Sequence, residues 1–299
     1  MNGLGARLRD PESQPLLLDG GLGSMLIARG LTAGQPPEGW VLERPDDVLA
    51  VHRAYVEAGS DAVHTCTFGA TPIRLAGYGL APRCGEINRI AVDIARRAGV
   101  RFVLGDVGPS GEYLPPVGKA DAGAWHDAFC EQGRALADAG VDGFHVETMS
   151  DLREAQVALR ALREVAPTLP VMVSLTFDRK KRGFFTVMGN PAAQTLSELA
   201  AEGAAAVGAN CSITSGDMCD LAAEVASKTG PSATALVFQP NAGQPRPTAA
   251  GIVYDQTPAE FADDAWTMVT AGARLIGGCC GTDPGFVAAL RRRVDGGAP

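Results

Sequence analysis

The chain has 299 residues, 46% of them hydrophobic and 20% charged, so it carries ample apolar side chain for a packed core and is not intrinsically disordered. Seven cysteines are too few for a disulfide-stapled scaffold, and a net charge of −8 gives no basic footprint for nucleic acid. No apolar run is long enough to span a membrane and the first residues lack the apolar core of a signal peptide, so a soluble, cytoplasmic protein is expected.

Strand-like runs fall at 16–19, 62–68, 102–106, 143–148, 171–177, 206–211, 235–239 and 275–279. Alanine-rich helical stretches lie between them, at 24–29, 45–58, 86–98, 122–139, 150–165, 192–201, 216–228 and 258–271. Several helices close on a glycine just before the next strand: Gly59, Gly99, Gly140, Gly203 and Gly272. Glycine there accommodates the left-handed conformation that ends a helix. Repetition of strand, loop, helix, glycine predicts parallel strands joined by crossover helices. Eight such units in about 250 residues predict an α/β fold, a (β/α)8 TIM barrel, as a single domain over 1–299. An open doubly wound sheet is the runner-up, but no GxGxxG follows the first strand.

A barrel of this kind carries its active site at the C-terminal strand ends. Polar and sulfur-bearing residues gather there: Asp19-Gly20-Gly21, Thr65-Cys66-Thr67-Phe68, Asp106, Glu147-Thr148, Asn210-Cys211, Gln239 and Cys279-Cys280. Cys211 closes the sixth strand and Cys279 and Cys280 the eighth, so three thiolates can converge on Zn²⁺ with Zn–S distances of about 2.3 Å. Adjacent cysteines share one metal only where the strand is irregular, which the flanking glycines permit. Three protein ligands leave a fourth position open, an arrangement suited to binding a substrate thiol and holding it as thiolate. Cys66 also closes a strand and can approach the site, whereas Cys84, Cys130 and Cys219 read as structural. His52, His64, His126 and His145 show no metal spacing, and His64 and His145 are expected to pack behind the cavity.

Seven motifs then run in order along nearly the whole chain: LDGGLGSML from Leu18, AGSDAVHTCTFGAT from Ala58, GDVGPSGE from Gly105, VETMSDLREA from Val146, GANC from Gly208, QPNAGQP from Gln239 and GGCCGT from Gly277. The chain so resembles the zinc-dependent homocysteine S-methyltransferases, a family that includes the homocysteine domain of cobalamin-dependent methionine synthase and the betaine- and S-methylmethionine-using enzymes. The resemblance implies one Zn²⁺ on Cys211, Cys279 and Cys280, with the sulfur of L-homocysteine in the fourth place. It implies that Asp19 and Glu147 receive the amino group of homocysteine and that backbone at Gly20 and Gly21 meets its carboxylate. The implied reaction moves a methyl group onto the zinc-bound thiolate of homocysteine and forms methionine. The donor is a small methylated molecule (S-methylmethionine, S-adenosylmethionine or betaine) or a methylcorrinoid protein, a separate partner carrying methylcobalamin.

Two positions depart from the family pattern: Cys66 stands where many members have asparagine, and Gly69 where betaine enzymes of the animal type have tyrosine. Losing an aromatic wall weakens a betaine reading. The loop 178–190, basic then aromatic, is a candidate docking or lid element. Two alternatives stay open: the same zinc chemistry on another thiol or selenol acceptor, and a non-catalytic zinc-binding barrel that scaffolds a corrinoid protein.

Overall fold

The computed structural model describes residues 3–10, 12–32, 34–229, 234–248 and 251–296. The expected domain limits, residues 1 and 299, lie outside them. Eight strands form one sheet: β1 (Leu16–Leu17), β2 (Ala62–His64), β3 (Phe102–Val107), β4 (Gly143–Met149), β5 (Val171–Leu175), β6 (Ala206–Thr214), β7 (Ala235–Asn241) and β8 (Ala273–Ile276). From β2 to β8 each strand pairs in parallel with the next, and β8 returns to pair with β1. Among the described residues β1 and β2 share no backbone ladder. Their seam is closed through carboxylates: the Leu17 amide donates to Asp61 Oδ2 at 2.9 Å and the His64 amide to Asp19 Oδ2 at 2.9 Å. The Asp61 amide adds a bond to the Leu17 carbonyl at 2.7 Å. The result is the nearly closed (β/α)8 barrel expected from the alternation of elements.

Period-two alternation decides what fills the barrel. Leu16, Leu18, Ala62, Phe102, Leu104, Met172, Ala206, Ala235, Val237 and Leu275 build an apolar plug at its N-terminal end. A short helix that the strand–helix pattern does not announce, Leu4–Arg9, caps this end by adding Leu4 and Leu8 to the same cluster. The helices pack outside, burying a second and larger apolar layer against the strands. The five helix-ending glycines all take positive φ, from 81° at Gly99 to 108° at Gly272, as their position before a strand requires.

Several strands are shorter than the apolar runs suggest. The runs 16–19, 62–68 and 275–279 narrow to 16–17, 62–64 and 273–276, because their last residues bend into loops that form the site. The loop 178–190 holds an antiparallel pair, Asp178–Lys180 with Gly183–Phe185. It is tied down by Arg179, which pairs with Asp217 and Asp220 and lies over the Phe184 ring, and Phe184 itself is buried. Among the described residues, no helix is long and apolar enough to cross a membrane.

Candidate active site

Above the apolar plug, the interior positions of successive strands turn polar. A single hydrogen-bonded chain crosses the barrel at this level. Asp19 Oδ1 lies 2.5 Å from His64 Nδ1, His64 Nε2 lies 2.8 Å from His145 Nδ1, and His145 Nε2 lies 3.0 Å from Ser174 Oγ. The Ser174 hydroxyl donates to Asn210 Oδ1 at 2.7 Å, and Asn210 Nδ2 donates to Glu147 Oε2 at 2.6 Å and to Thr148 Oγ1 at 2.7 Å. Burial opposes a charge on His64, but the Asp19 carboxylate outweighs it and holds the imidazole above its ordinary value. Burial and the charge on His64 push His145 well below, so it is neutral.

This chain leads to the wall of a cavity of about 420 Å³, within the size range of small-molecule sites. Gly20, Gly21, His64, Asp106 and Glu147 line it, as do Cys66, Cys211, Cys279 and Cys280. The three cysteines expected to hold a metal are brought together: each pair of Sγ atoms lies within 4.8 Å, and Cys211 Sγ is 3.9 Å from Cys280 Sγ. Cys211 reaches this position through an irregularity. It and Ser212 both have φ of 60°, and the pairing of β6 with β7 slips between Asn210 and Thr214. Left-handed backbone in residues other than glycine, at a bulge, is a common way to re-aim a side chain.

Cys279 and Cys280 sit beyond the end of β8 in a turn locked on both sides. The Gly278 amide donates to the Asp19 carbonyl at 3.0 Å, and the Cys279 amide to the Pro240 carbonyl at 2.8 Å. A Cβ at Gly278 would lie 2.2 Å from Thr282 Oγ1, so the turn closes only with glycine there. Hydrogen bonds from Cys279 and Cys280 draw Cys211 down to about 3, while the same contacts push Cys279 well up and Cys280 to about 11. Three sulfur atoms gathered at a cavity wall are a donor set that fits a soft or borderline dication such as Zn²⁺.

The remaining expected residues fall in different places. Glu147 lines the cavity, oriented by Asn210, and the next residue, Thr148, has φ of 60°. Asp19 does not line it: its side chain is 1% exposed, and both carboxylate oxygens are engaged by His64. Gly20 and Gly21 are at the wall, and the Gly21 amide is bonded to the Thr282 hydroxyl and carbonyl. Cys66 also lines the cavity without joining the three-sulfur group; its thiol donates to the Pro37 carbonyl at 3.5 Å, and burial pushes it well up.

His64, expected to pack behind the cavity, is part of its wall and joins Asp19 to His145. The signal was parity: His64 is two residues after Ala62, and His145 two after Gly143, both on inward positions. Glu38, on the helix Pro37–Glu43, also reaches the wall and accepts from the Gly69 amide at 2.5 Å. Away from the cavity, His126 and Cys130 come within 4.8 Å of Glu164 on a neighbouring helix, a grouping that chain spacing does not show.

The sequence matches the family model described as homocysteine S-methyltransferase over residues 16–294. The chain belongs to the homocysteine S-methyltransferase family. It is 31% identical over 300 residues to the methionine synthase of Mycobacterium tuberculosis (strain ATCC 25618 / H37Rv), covering 94% of this chain and 25% of the relative. The methionine synthase of Mycobacterium leprae (strain TN) is 31% identical over 273 residues, covering 86% of this chain and 22% of the relative. The chain thus spans about a quarter of the length of these relatives. Among solved structures, the homocysteine methyltransferase MmuM from Escherichia coli in its metallated form superposes with a TM-score of 0.78 at 27% identity, covering 95% of this chain and 100% of that one.

Proposed function

We propose that the protein transfers a methyl group to the sulfur of L-homocysteine, forming methionine, with one Zn²⁺ held by Cys211, Cys279 and Cys280. The convergence of three cysteine sulfurs at a cavity wall that also carries Glu147 supports this reading. When bound, zinc supplies the positive charge that keeps a ligand thiol ionised near neutral pH. Glu147, aimed by Asn210, would meet the ammonium of homocysteine. Asp19 adds negative charge from behind His64. Gly20 and Gly21 leave room for the carboxylate, and because the Gly21 amide already has a partner, their contribution there is the absence of side chain. The methyl carbon exchanges its bond to the donor for a bond to sulfur, and the donor leaves with the bonding pair. Holding acceptor and donor in line removes much of the barrier.

A small cationic donor is supported by Glu38, a further carboxyl in the same wall that the acceptor does not use in this reading, although Arg74 also lines the cavity. S-methylmethionine, S-adenosylmethionine and betaine have this character. A second reading, methylcobalamin brought by a partner protein, draws on the exposed Ile27, Tyr78, Val117 and Val187, which all follow strand C-termini at this end of the barrel. A site of unpaired thiols fits a reducing compartment such as the cytoplasm.

The test is zinc content together with methionine formation from homocysteine, with S-methylmethionine, S-adenosylmethionine, betaine and methylcobalamin offered in turn. About one zinc per chain with product from one donor is expected. Freshly reduced protein that binds no zinc would overturn the reading. Product from a different thiol or selenol, with none from homocysteine, would move it to another acceptor.

A further inference from the structure

The inward positions of β3 are Phe102, Leu104 and Asp106. The first two belong to the apolar plug, and Asp106 is the first polar step above it, paired in register with His145. Its backbone is fixed on both sides. The amide donates to Thr65 Oγ1 at 3.0 Å, and the carbonyl accepts from Thr67 Oγ1 at 2.8 Å and Gln132 Nε2 at 3.2 Å. The carboxyl is therefore held in place, and it lines the cavity while the residue is only 6% exposed.

One of its oxygens, Oδ1, is buried and has no hydrogen-bond partner. The side chain is otherwise hydrogen-bonded to the Glu147 carboxyl, the two acids sharing a proton, and the further charges acting on it, Asp19 and Glu38, are acidic too. An open acceptor among acids is a costly arrangement unless a cationic donor arrives. Asp19, assigned to the amino group from the sequence, differs on both counts: its oxygens are satisfied by His64 and it is withdrawn from the wall.

We propose that Asp106 is the second carboxylate of the seat for the acceptor's ammonium, its Oδ1 accepting one N–H while Glu147 accepts another. This rests on the homocysteine reading above. Burial and the neighbouring Glu147 push the Asp106 carboxyl well up in the empty cavity, as expected of a group whose counter-charge is carried by a ligand. Asp19 then acts one layer back, as the partner that charges His64.

The experiment measures, by calorimetry on zinc-loaded protein, the affinity for L-homocysteine and for 4-mercaptobutanoate, which has the same thiol and carboxylate but no amino group. The native protein is expected to prefer homocysteine. Asp106→Asn is expected to weaken homocysteine by about 10- to 100-fold, the usual range for a hydrogen bond to a charged group, with 4-mercaptobutanoate and zinc content unchanged. A native preference that survives Asp106→Asn undiminished overturns the seat and leaves the homocysteine reading standing. Native zinc protein that binds neither thiol overturns both. Should the Asn variant not fold, Asp106→Ser is read by the same ratio, which is insensitive to the fraction of folded chain.

Discussion

Asn210 holds the junction between the buried chain and the cavity, and Asn210→Ala shows what that junction is worth. The side chain is fully buried and makes five hydrogen bonds, giving to Glu147, Thr148 and, at 4.0 Å, Cys279 Sγ, and accepting from the Thr148 amide at 2.8 Å and from Ser174 at 2.7 Å. Truncation leaves the Thr148 amide without this acceptor, at about 1–3 kcal/mol, and removes a bond to the Glu147 carboxyl worth about 1.5–3 kcal/mol. Ser174 keeps its contact with His145 and can turn its hydroxyl, so its loss is small. The expected destabilisation is roughly 3–6 kcal/mol, a large share of the ~5–15 kcal/mol that holds a domain together. Urea unfolding at fixed zinc should show a lower midpoint with an unchanged slope. Since Glu147 loses its aim, the preference for homocysteine over 4-mercaptobutanoate should fall as well. Asn210→Asp keeps the shape but turns a donor into an acceptor facing Glu147, and should impair that preference more than Ala does. A loss under about 1 kcal/mol in the Ala variant, with the preference intact, would refute the orienting role.

Cys211→Ser should abolish stoichiometric zinc binding and methionine formation together, measured by metal analysis and product assay; activity retained at normal zinc would remove Cys211 from the ligand set. His52 is buried with neither ring nitrogen hydrogen-bonded, and burial pulls it from 6.5 to about 4. As pH falls below 6.5 the unfolded chain takes up this proton before the folded one does, so stability is lost down to about pH 4, by about 3 kcal/mol in all. His52→Leu should remove about 2 kcal/mol of that acid loss between pH 7.5 and pH 5. Equal losses in the two proteins would show that His52 finds a partner in solution.

Much of the fold was legible because it rests on short-range signals. Helix-ending glycines and alternating apolar runs depend on neighbours within a turn or two, and they gave eight strands in the right places. The meeting of Cys211, Cys279 and Cys280 was legible for a similar reason, since each lies toward or just beyond the C-terminal end of a strand. What sequence order hides is which side chains face each other across the barrel. Asp19 follows the short β1, where nothing local shows that both its oxygens will be taken by a residue from β2. Asp106 was legible as a strand-end residue, and the inward placement of His64 and His145 could have been found by counting in steps of two from Ala62 and Gly143. The helix Leu4–Arg9 could not, because its two buried leucines matter only once the barrel exists to be capped.

The direction of the buried chain has a consequence for pH. His145 is neutral, and with Nδ1 accepting from the charged His64 it carries its proton on Nε2, toward Ser174. Each donor then points the same way, from His64 to Glu147. If His64 loses its Nε2 proton, two lone pairs face each other between the imidazoles. Relief requires His145 to shift its own proton to Nδ1, which withdraws the donor from Ser174. Because Asp19 raises His64 above 6.5, its contribution to stability is fully present below 6.5 and is lost as pH rises through the raised value. Asp19→Asn removes the carboxylate that raises it, so the native protein should exceed this variant in stability by more at pH 6 than at pH 9. Groups unaffected by the substitution cancel in that difference. A gap that stays constant or widens with pH would mean His64 is neutral throughout, and the direction of the chain would have to be reversed.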